Sequence, residues 1–258
     1  LATVLMSEDN ASATYVSMKQ RDCEELGIKS FHVEVDVTAP AAELYDTVAE
    51  LNANDKVDGI LVQHPVASHV DYEEVVRRID PEKDVDGFHP ENVGRLVRGT
   101  PRFRPCTPHG VQKLLEYTGV ETEGADAVVI GRSNIVGKPL ANLLAARAPD
   151  GNATVTLCHS RTDDLAGKTR QADIVVAATG VPELVDGSML SEGVTVIDVG
   201  YNKLDGTAVG DVDYESAKQK ASAITPVPGG VGPMTRAMLM YNTVMAGSKR
   251  NDVGVNLP

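Results

Sequence analysis

A short apolar run, a glycine-containing turn and a helix-forming stretch constrain this chain more than any other feature. Ala127–Ile130 is typical of a buried strand, and Leu140–Ala146 favours a helix. Residues 131–139, with the sequence Gly-Arg-Ser-Asn-Ile-Val-Gly-Lys-Pro, lie between them. Glycines in such a turn let the backbone approach a pyrophosphate, and the following helix N-terminus directs N–H groups at it. The stretch predicts a nucleotide-phosphate site, although its Gly-x-Ser-x-x-x-Gly spacing differs from the Rossmann Gly-x-Gly-x-x-Gly.

The rest of the chain alternates strand-like and helix-like stretches, which is typical of an α/β protein with a parallel sheet. Its 258 residues are enough for two domains. A basic, proline-flanked link at residues 101–105 is the best candidate boundary. We therefore expect a first domain over residues 1–107 and a nucleotide-binding domain over 108–233. A C-terminal helix over 234–258 is expected to rejoin the first domain.

The charge of the chain limits its partners. It carries 37 acidic and 24 basic residues, a formal net charge of −13. Because binding to phosphate backbones and anionic lipids needs clustered Lys and Arg, we expect no nucleic-acid partner and no membrane surface. This charge fits a salt-adapted cytoplasm and an ordinary acidic enzyme equally well.

Cysteine usage and the chain ends indicate the compartment. Cys23, Cys106 and Cys158 lie far apart and form no Cys-x-x-Cys pair. Neither a zinc site nor a disulfide framework is expected, and a reducing cytoplasm is favoured. No apolar run is long enough for a bilayer, and no signal-peptide pattern opens the chain. The strand-like Leu1–Leu5 begins abruptly, so we expect a segment to precede it in the native protein.

The end of the second strand of the nucleotide-binding domain indicates which cofactor binds. An acidic residue there favours NAD, whereas a cation accommodates the 2′-phosphate of NADP. The chain has Cys158-His159-Ser160-Arg161-Thr162 with no carboxylate, and Arg132 lies in the first turn. Arginine binds phosphate through two parallel hydrogen bonds. NADP is therefore preferred over NAD, the alternative being two solvated surface arginines.

Two further patterns have ordinary explanations when each is taken alone. Tyr15 and Lys19 have the spacing of the catalytic pair of short-chain dehydrogenases, but they precede the glycine turn, so a packed tyrosine beside a solvated lysine is the simpler interpretation. Asp84 and Asp86 could bind a metal, but neither a histidine nor a further acid stands at ligand spacing. We expect a hydrogen-bonded turn and no metal. Gln63 ends a predicted strand, where ligands of α/β sheets gather.

Eight motifs follow one another along nearly the whole chain: Ala11-Ser12-x-x-Tyr15-Val16-x-x-Lys19, Val62-Gln63-x-Pro65, Lys83-Asp84-Val85-Asp86-Gly87, Pro105-Cys106-Thr107-Pro108-x-Gly110, Gly131-Arg132-Ser133-x-Ile135-Val136-Gly137-x-Pro139, Ala178-Thr179-Gly180-x-Pro182, Asp198-Val199-Gly200 and the proline- and glycine-rich residues 225–235. In this order they resemble the bifunctional methylenetetrahydrofolate dehydrogenase/cyclohydrolases. One departure is Gln63-His64-Pro65-Val66-Ala67, where the family usually has Gln-Leu-Pro-Leu-Pro. We therefore expect a looser loop beside Gln63.

The resemblance implies two α/β domains around a cleft, an N-terminal folate-binding catalytic domain and a Rossmann-like NAD(P) domain with a parallel sheet. It implies Lys19 as the catalytic lysine, Gln63 as its partner and Tyr15 as a catalytic residue that shapes the folate pocket. Substrate binding would involve Tyr15, Gln63, Asp86, Pro228, Gly229, Gly230 and Pro233. Cofactor binding would involve Thr107, Gly131, Arg132, Ser133, Ile135, Val136, Gly137, His159, Ser160, Arg161, Thr179 and Gly180.

The implied activity has two steps. Methylenetetrahydrofolate is oxidised to the methenyl form with NADP⁺, and the methenyl form is hydrolysed to 10-formyltetrahydrofolate, a one-carbon donor in purine biosynthesis. A homodimer is also implied. Two alternatives remain at this point, another two-domain NAD(P)-dependent dehydrogenase acting on shikimate or an amino acid, and a non-catalytic nucleotide-binding protein.

Overall fold

The computed structural model describes residues 1–8 and 10–255, without the side chains of residues 10 and 11. The side chain of Ala11 in the first motif and residues 256–258 of the predicted C-terminal helix therefore lie outside the described part. The chain divides into two compact units. Unit 1 comprises Leu1–Arg95, Thr100–Cys106 and the chain from Met238 onward, and unit 2 comprises Leu96–Gly99 and Thr107–Ala237.

A small parallel sheet forms the centre of unit 1. Three strands pair in the order β2-β1-β3, and every residue of β1 is buried. Helix α2 packs on the sheet because its apolar residues recur at helical spacing, so that Leu44, Val48 and Leu51 are buried with Val4 and Ile60. The elements are β1 (Ala2–Leu5), α1 (Asn10–Glu25), β2 (Phe31–Glu34), α2 (Ala41–Ala53), β3 (Ile60–Val62), α3 (Tyr72–Arg78) and α4 (Pro90–Val97).

Unit 2 contains a five-stranded parallel sheet in the order β10-β7-β6-β4-β5 and a short antiparallel hairpin of β8 and β9. Its elements are α5 (Cys106–Tyr117), β4 (Asp126–Ile130), α6 (Gly137–Ala145), β5 (Thr154–Cys158), α7 (Leu165–Thr169), β6 (Ile174–Ala177), a 3₁₀ turn (Gly187–Met189), β7 (Thr195–Asp198), β8 (Asn202–Leu204), β9 (Thr207–Val209), α8 (Tyr214–Ala217) and β10 (Ala223–Ile224). Helix α9 (Val231–Arg250) begins in unit 2 and belongs to unit 1 from Met238 onward.

The strand order of unit 2 reverses at β4. The chain passes from β4 to β5 on one side and then returns to β6 on the other side of β4. In open α/β sheets, ligands bind beyond the carboxyl ends of the strands at such a reversal. The predicted α/β class and the parallel sheet of the nucleotide domain are confirmed.

Some element bounds differ from those predicted. The C-terminal helix begins at Val231, before the predicted residue 234, because Pro233 falls in its first turn, where a proline is tolerated. It ends at Arg250 rather than continuing to residue 258, and Asp252 just beyond it has a left-handed φ of 52°. Helix α5 begins at Cys106, so Thr107 lies inside the first turn. The domain boundaries at 107/108 and 233/234 stay predictions beside the unit changes at Cys106/Thr107 and Ala237/Met238.

Among the described residues, no helix combines the length and the apolar character that crossing a bilayer requires.

Candidate active site

The glycine turn after β4 is packed too tightly for side chains at two positions. Gly131 has a φ of +113°, and a Cβ built there would lie 2.0 Å from the carbonyl oxygen of Ala178. A Cβ on Gly137 would lie 2.0 Å from the carbonyl oxygen of Gly131. Both glycines are therefore required by the backbone itself, which folds back on the end of the neighbouring strand β6. This gives a structural cause for the Gly-x-Ser-x-x-x-Gly spacing.

Ser133 organises the N-terminus of helix α6. Its hydroxyl oxygen accepts hydrogen bonds from the backbone N–H groups of Val136 at 3.1 Å and Gly137 at 3.4 Å. A hydroxyl that accepts these bonds still has its own proton to donate to a phosphate oxygen. Arg132 and Ser133 are exposed, whereas Ile135 and Val136 are half-buried. The turn thus combines a positive side chain and a helix N-terminus, both of which attract anions.

The parallel register brings three predicted cofactor segments to the same edge of the sheet. Ile130 pairs with Cys158 on one side and with Ala177 on the other, so the turns after β4, β5 and β6 leave side by side. After β5, the His159 backbone N–H donates to Thr162 Oγ1 at 2.9 Å, and the Arg161 N–H donates to His159 Nδ1 at 3.1 Å. Ser160 and Arg161 are exposed in this turn.

Two buried carboxylates lie behind the turn after β6: Asp198, which opens one of the eight motifs, and Asp211, which no motif includes. The Asp211 carboxylate accepts hydrogen bonds from the backbone N–H groups of Thr179 and Gly180, the latter at 3.0 Å. Asp198 ends β7, and its carboxylate accepts the N–H groups of Gly200 (2.9 Å), Asp211 (2.9 Å) and Val212 (3.0 Å). Burial, together with the neighbouring Asp211 charge, raises the pKa of Asp198 to about 6 despite these hydrogen bonds.

The predicted residues at the end of unit 2 form a loop and a helix start. Pro228 and Gly229 are exposed after β10, and the Gly230 N–H donates to the Pro226 carbonyl at 3.0 Å. Pro233 lies inside the first turn of α9. The Thr107 hydroxyl is hydrogen-bonded to the Thr235 hydroxyl at 2.9 Å, so it links α5 to the start of α9.

In unit 1, Lys19 is buried rather than solvated. It is 8% exposed, and its Nζ donates to Gln63 Oε1 at 2.9 Å. Burial lowers the pKa of Lys19, although the Asp86 carboxylate and the Cys106 thiol oppose this effect. Gln63 Nε2 in turn donates to the His64 carbonyl at 2.8 Å, which fixes the amide with its oxygen towards the lysine. Tyr15 is half-buried one helical turn before Lys19.

The two aspartates of the loop before α4 have different surroundings. Asp84 is buried and accepts the His89 N–H and the Asn92 side-chain amide, both at 2.8 Å, as the predicted hydrogen-bonded turn requires. Asp86 faces the Lys19 and Cys106 side chains. Burial raises the pKa of Asp86, and the charge of Lys19 and a hydrogen bond from Cys106 act in the opposite direction.

Cys106 takes part in this cluster, although no role was predicted for it. Burial and the adjacent Asp86 carboxylate raise the pKa of the Cys106 thiol well above its usual range. The Val85 carbonyl, 3.4 Å from its Sγ, is the alternative acceptor for its single proton. The thiol is therefore a hydrogen-bonding group in a carboxylate environment and a poor nucleophile. In the described ranges 1–8 and 10–255, no group of three or more His, Cys, Asp or Glu side chains is arranged to hold a metal ion.

The two sets of residues define a class of protein. A parallel sheet with a tight glycine turn and exposed arginines at its carboxyl edge fits NADP, because the turn brings the backbone close to a pyrophosphate and residues 158–162 at the end of β5 include no acid. A second α/β unit supplies a buried lysine, an amide and a carboxylate, which suit proton transfer on a polar substrate. The class is an NADP-dependent enzyme with two α/β units.

Comparisons with known proteins assign the family. The family model for the catalytic domain of tetrahydrofolate dehydrogenase/cyclohydrolases matches residues 1–86, and the model for their NAD(P)-binding domain matches residues 105–251. The chain is 69% identical over 264 residues to the bifunctional protein FolD of Natronomonas pharaonis, which covers 100% of this chain and 89% of that relative. The chain belongs to the tetrahydrofolate dehydrogenase/cyclohydrolase family.

Solved structures agree with this assignment. The FolD enzyme of Campylobacter jejuni is 49% identical with a TM-score of 0.92, covering 96% of this chain and 88% of that one. The Trypanosoma brucei enzyme, solved with NADP and an inhibitor, is 39% identical with a TM-score of 0.90, covering 96% of this chain and 86% of that one. A shikimate dehydrogenase of Thermus thermophilus, at 16% identity and a TM-score of 0.61, shares the fold alone.

The family confirms the activity implied by the motifs. The protein is a bifunctional enzyme that oxidises methylenetetrahydrofolate with NADP⁺ and hydrolyses methenyltetrahydrofolate. The shikimate-type and non-catalytic alternatives are not supported.

Proposed function

We propose that Lys19, Gln63 and Asp86 bind the folate and carry out the hydrolytic half of this bifunctional reaction, with Tyr15 shaping the folate pocket. The observation that carries the proposal is the 2.9 Å hydrogen bond from the buried Lys19 amine to the Gln63 amide. An amide can orient a lysine without adding charge, and burial lowers the pKa of Lys19, which favours the neutral amine.

The hydrolytic step needs one group that first accepts and then donates a proton. Water attacks the methenyl carbon, and a neutral Lys19 amine accepts a proton as the carbon–oxygen bond forms. The resulting ammonium then donates a proton to the ring nitrogen whose bond to that carbon breaks. The hydroxyl of the adduct loses its remaining proton to solvent as its oxygen becomes the formyl carbonyl, which gives the 10-formyl product. Gln63 keeps the amine directed at the reacting carbon through both transfers.

The oxidative step depends on alignment more than on proton transfer. The one-carbon unit bridges two nitrogens, and their lone pairs help it to release a hydride. NADP⁺, when bound, would accept that hydride. Asp86 matches the paired N–H donors of the pterin ring, so its carboxylate would fix the ring's orientation. Pro228, Gly229, Gly230 and Pro233 are proposed as folate-binding residues because of the family resemblance alone.

The cofactor phosphates are proposed to bind along the carboxyl edge of the unit 2 sheet. The pyrophosphate would lie close to the backbone of Gly131, Ile135, Val136 and Gly137. The side chains of Arg132 and Ser133 would contact it. His159, Ser160 and Arg161 would surround the 2′-phosphate that distinguishes NADP from NAD, supported by the absence of an acidic residue from residues 158–162. Thr107, Thr179 and Gly180 would complete the site.

The quaternary structure and cellular setting are part of the proposal. A homodimer is supported by the edge strand β5, which exposes the apolar Leu157 beside unpaired backbone groups. Light scattering on the purified protein tests it. Three buried free cysteines fit a reducing cytoplasm, where 10-formyltetrahydrofolate would serve purine biosynthesis.

Lys19→Met tests the proposed chemistry, because methionine fills a similar volume without a proton acceptor. We expect cyclohydrolase turnover to fall by about a hundredfold or more, the usual contribution of general acid–base catalysis. The measurement is the disappearance of the methenyl chromophore in stopped-flow assays. Lys56→Met, at an exposed lysine of the same unit, is the matched control. Unchanged cyclohydrolase turnover in Lys19→Met would remove Lys19 from this role.

A further inference from the structure

Asp211 is fully buried in unit 2 and has three hydrogen-bond donors. Its Oδ2 accepts the backbone N–H groups of Thr179 and Gly180, and its Oδ1 accepts the Asn202 side-chain amide at 2.9 Å. A buried carboxylate without partners is strongly disfavoured, so this one is stable only while all three donors remain. The carboxylate and the turn after β6 therefore hold each other in one arrangement.

The direction of these hydrogen bonds fixes a peptide plane that touches the glycine turn. The Thr179 N–H and the Ala178 carbonyl belong to the same trans peptide and point in opposite directions. Because the N–H points to Asp211, the Ala178 carbonyl points away from it. That carbonyl oxygen is the atom that would lie 2.0 Å from a Cβ on Gly131. Asp211 thus sets the contact between the turn after β6 and the turn after β4.

Asp198 holds Asp211 in place from behind. Its carboxylate accepts the backbone N–H groups of Asp211 and Val212, while its own N–H donates to Thr225 Oγ1 at 2.8 Å. Glycines flank both carboxylates: a Cβ on Gly210 would lie 1.7 Å from Asp198 Oδ2, and one on Gly200 would lie 2.2 Å from Asp211 Oδ1. The pair is therefore enclosed by backbone that leaves no room for a side chain.

We infer that Asp211 is a positioning residue for the dehydrogenase reaction, whose carboxylate holds the Thr179–Gly180 turn in the arrangement that binds NADP. The inference depends on the proposed assignment of Thr179 and Gly180 to the cofactor. The N–H groups of both residues are taken by Asp211, and the Thr179 hydroxyl oxygen already accepts the Val181 N–H at 3.1 Å, so the turn offers NADP its carbonyl oxygens. These accept hydrogen bonds, so they would recognise the cofactor's hydroxyl or carboxamide donors.

Asp211→Ala tests the inference in the full-length protein. It removes the acceptor for both turn N–H groups, and we expect the dissociation constant for NADP and its KM to rise by about tenfold or more, given the usual strength of hydrogen bonds to charged groups. The KM for methylenetetrahydrofolate should stay within about twofold, because the hydrogen bonds that are lost all lie in unit 2. NADP binding is measured by calorimetry, and cyclohydrolase turnover, which consumes no NADP, reports whether the enzyme remains folded.

Two further variants separate positioning from general destabilisation. In Asp211→Asn the new amide oxygen can still accept the N–H groups of the Thr179–Gly180 turn. Its NH₂ group then points to Asn202, whose own amide can reverse to present its oxygen as the acceptor. We therefore expect NADP affinity to recover to within about threefold of wild type. Asp186→Ala is the control, since Asp186 also accepts a backbone N–H in unit 2, from Ser188 at 2.7 Å, but is not bonded to this turn. It should bind NADP as the wild type does.

Several outcomes would overturn the inference. One is wild-type NADP affinity in Asp211→Ala, and another is a parallel loss of NADP binding and cyclohydrolase turnover. If Asp211→Ala does not fold, Asn202→Ala provides the test. This variant keeps the carboxylates of Asp198 and Asp211 and removes only the hydrogen bond to Asp211 Oδ1. About threefold weaker NADP binding supports the inference, and unchanged binding refutes it. A wild-type enzyme that does not bind NADP would instead refute the proposed function.

Discussion

Replacing Gln63 by glutamate puts a carboxylate where the native amide oxygen accepts the Lys19 hydrogen bond at 2.9 Å. The two side chains have nearly the same shape, so the main change is one negative charge beside the amine. A negative charge stabilises the ammonium form, and the pKa of Lys19 should therefore rise. If the hydrolytic step needs the neutral amine, Gln63→Glu should slow it at neutral pH.

The distance sets the size of the effect. Two unit charges 2.9 Å apart attract by about 6 kcal/mol at an effective dielectric constant of about 20. This is an upper limit, because the new carboxylate must itself be desolvated beside Asp86. Opposite charges at this range usually shift a titration by about 1 to 3 pH units. Cyclohydrolase turnover at a fixed neutral pH should fall by about tenfold to a thousandfold, as the neutral fraction of Lys19 decreases.

The assay is the pH dependence of cyclohydrolase kcat/KM, measured with methenyltetrahydrofolate. In Gln63→Glu the limb that rises with pH should move to higher pH by the same 1 to 3 units, so that activity recovers as the solution becomes alkaline. Gln63→Met is the control, because it removes the hydrogen bond without adding charge. It should lower activity without moving the limb to higher pH.

The dehydrogenase reaction gives a second comparison within each variant. Hydride transfer needs no neutral amine, so reduction of NADP⁺ should decrease much less than hydrolysis in Gln63→Glu. A wild-type pH profile in Gln63→Glu would refute the reasoning. Identical profiles for the glutamate and methionine variants would do so as well.

Two other predictions follow from buried groups. The pKa of Asp198 is about 6 in the folded chain, compared with 3.8 for an unperturbed aspartate, which we take for the unfolded chain. The protonated carboxyl group therefore stabilises the fold fully below about pH 4, and this contribution is lost as the pH rises through 6. Urea unfolding gives the free energy of unfolding of the wild type and of Asp198→Asn at each pH. The wild-type value minus the variant value should fall by up to about 3 kcal/mol between pH 4 and pH 7.5. A difference that stays constant over this range would contradict the prediction. Cys23, Cys106 and Cys158 are each at most 1% exposed, so a thiol reagent should label none of them in the native enzyme and all three in guanidinium. Rapid native labelling would show that one of them is accessible.

The nucleotide-binding unit could be predicted from sequence because its signals are local. The run Ala127–Ile130, the glycines of the turn and the helix after it are contiguous, and their order alone specifies a strand, a turn and a helix. The parallel register then brings the turns after β5 and β6 beside the first turn without any further information. Asp84 could likewise be interpreted correctly as a structural turn residue, since it had no partner at metal-ligand spacing.

The burial of Lys19 could not be predicted in this way. Helix α1 is largely polar, and a Tyr-x-x-x-Lys spacing says only that two side chains share a face. The environment of the amine is supplied by residues far along the chain, Gln63 from the end of β3 and Asp86 from a loop. The resemblance to a family identified the lysine, whereas its pKa direction follows only from the folded surroundings.

Asp211 is the residue that sequence reasoning missed most completely. It follows the β8–β9 hairpin, which the Asp205-Gly206 turn indicates, but its hydrogen-bond partners Thr179 and Gly180 are about thirty residues away. The adjacent residues Gly210 and Asp211 are the only local indication of this role. Gly210 marks a place where the backbone packs too closely for a side chain. Without the fold, nothing relates these two residues to the cofactor turn.

The position of the His159–Arg161 turn at the end of the edge strand β5 has a consequence for how such enzymes diversify. Strand β5 has a neighbour on one side only, and the side chains of Ser160 and Arg161 are exposed. Under the proposed 2′-phosphate site, substitutions of these two residues would alter the choice between NADP and NAD while the central strands and the tight turn after β4 stay unchanged. Cofactor preference can therefore drift among relatives while the catalytic unit and the remaining phosphate contacts stay the same.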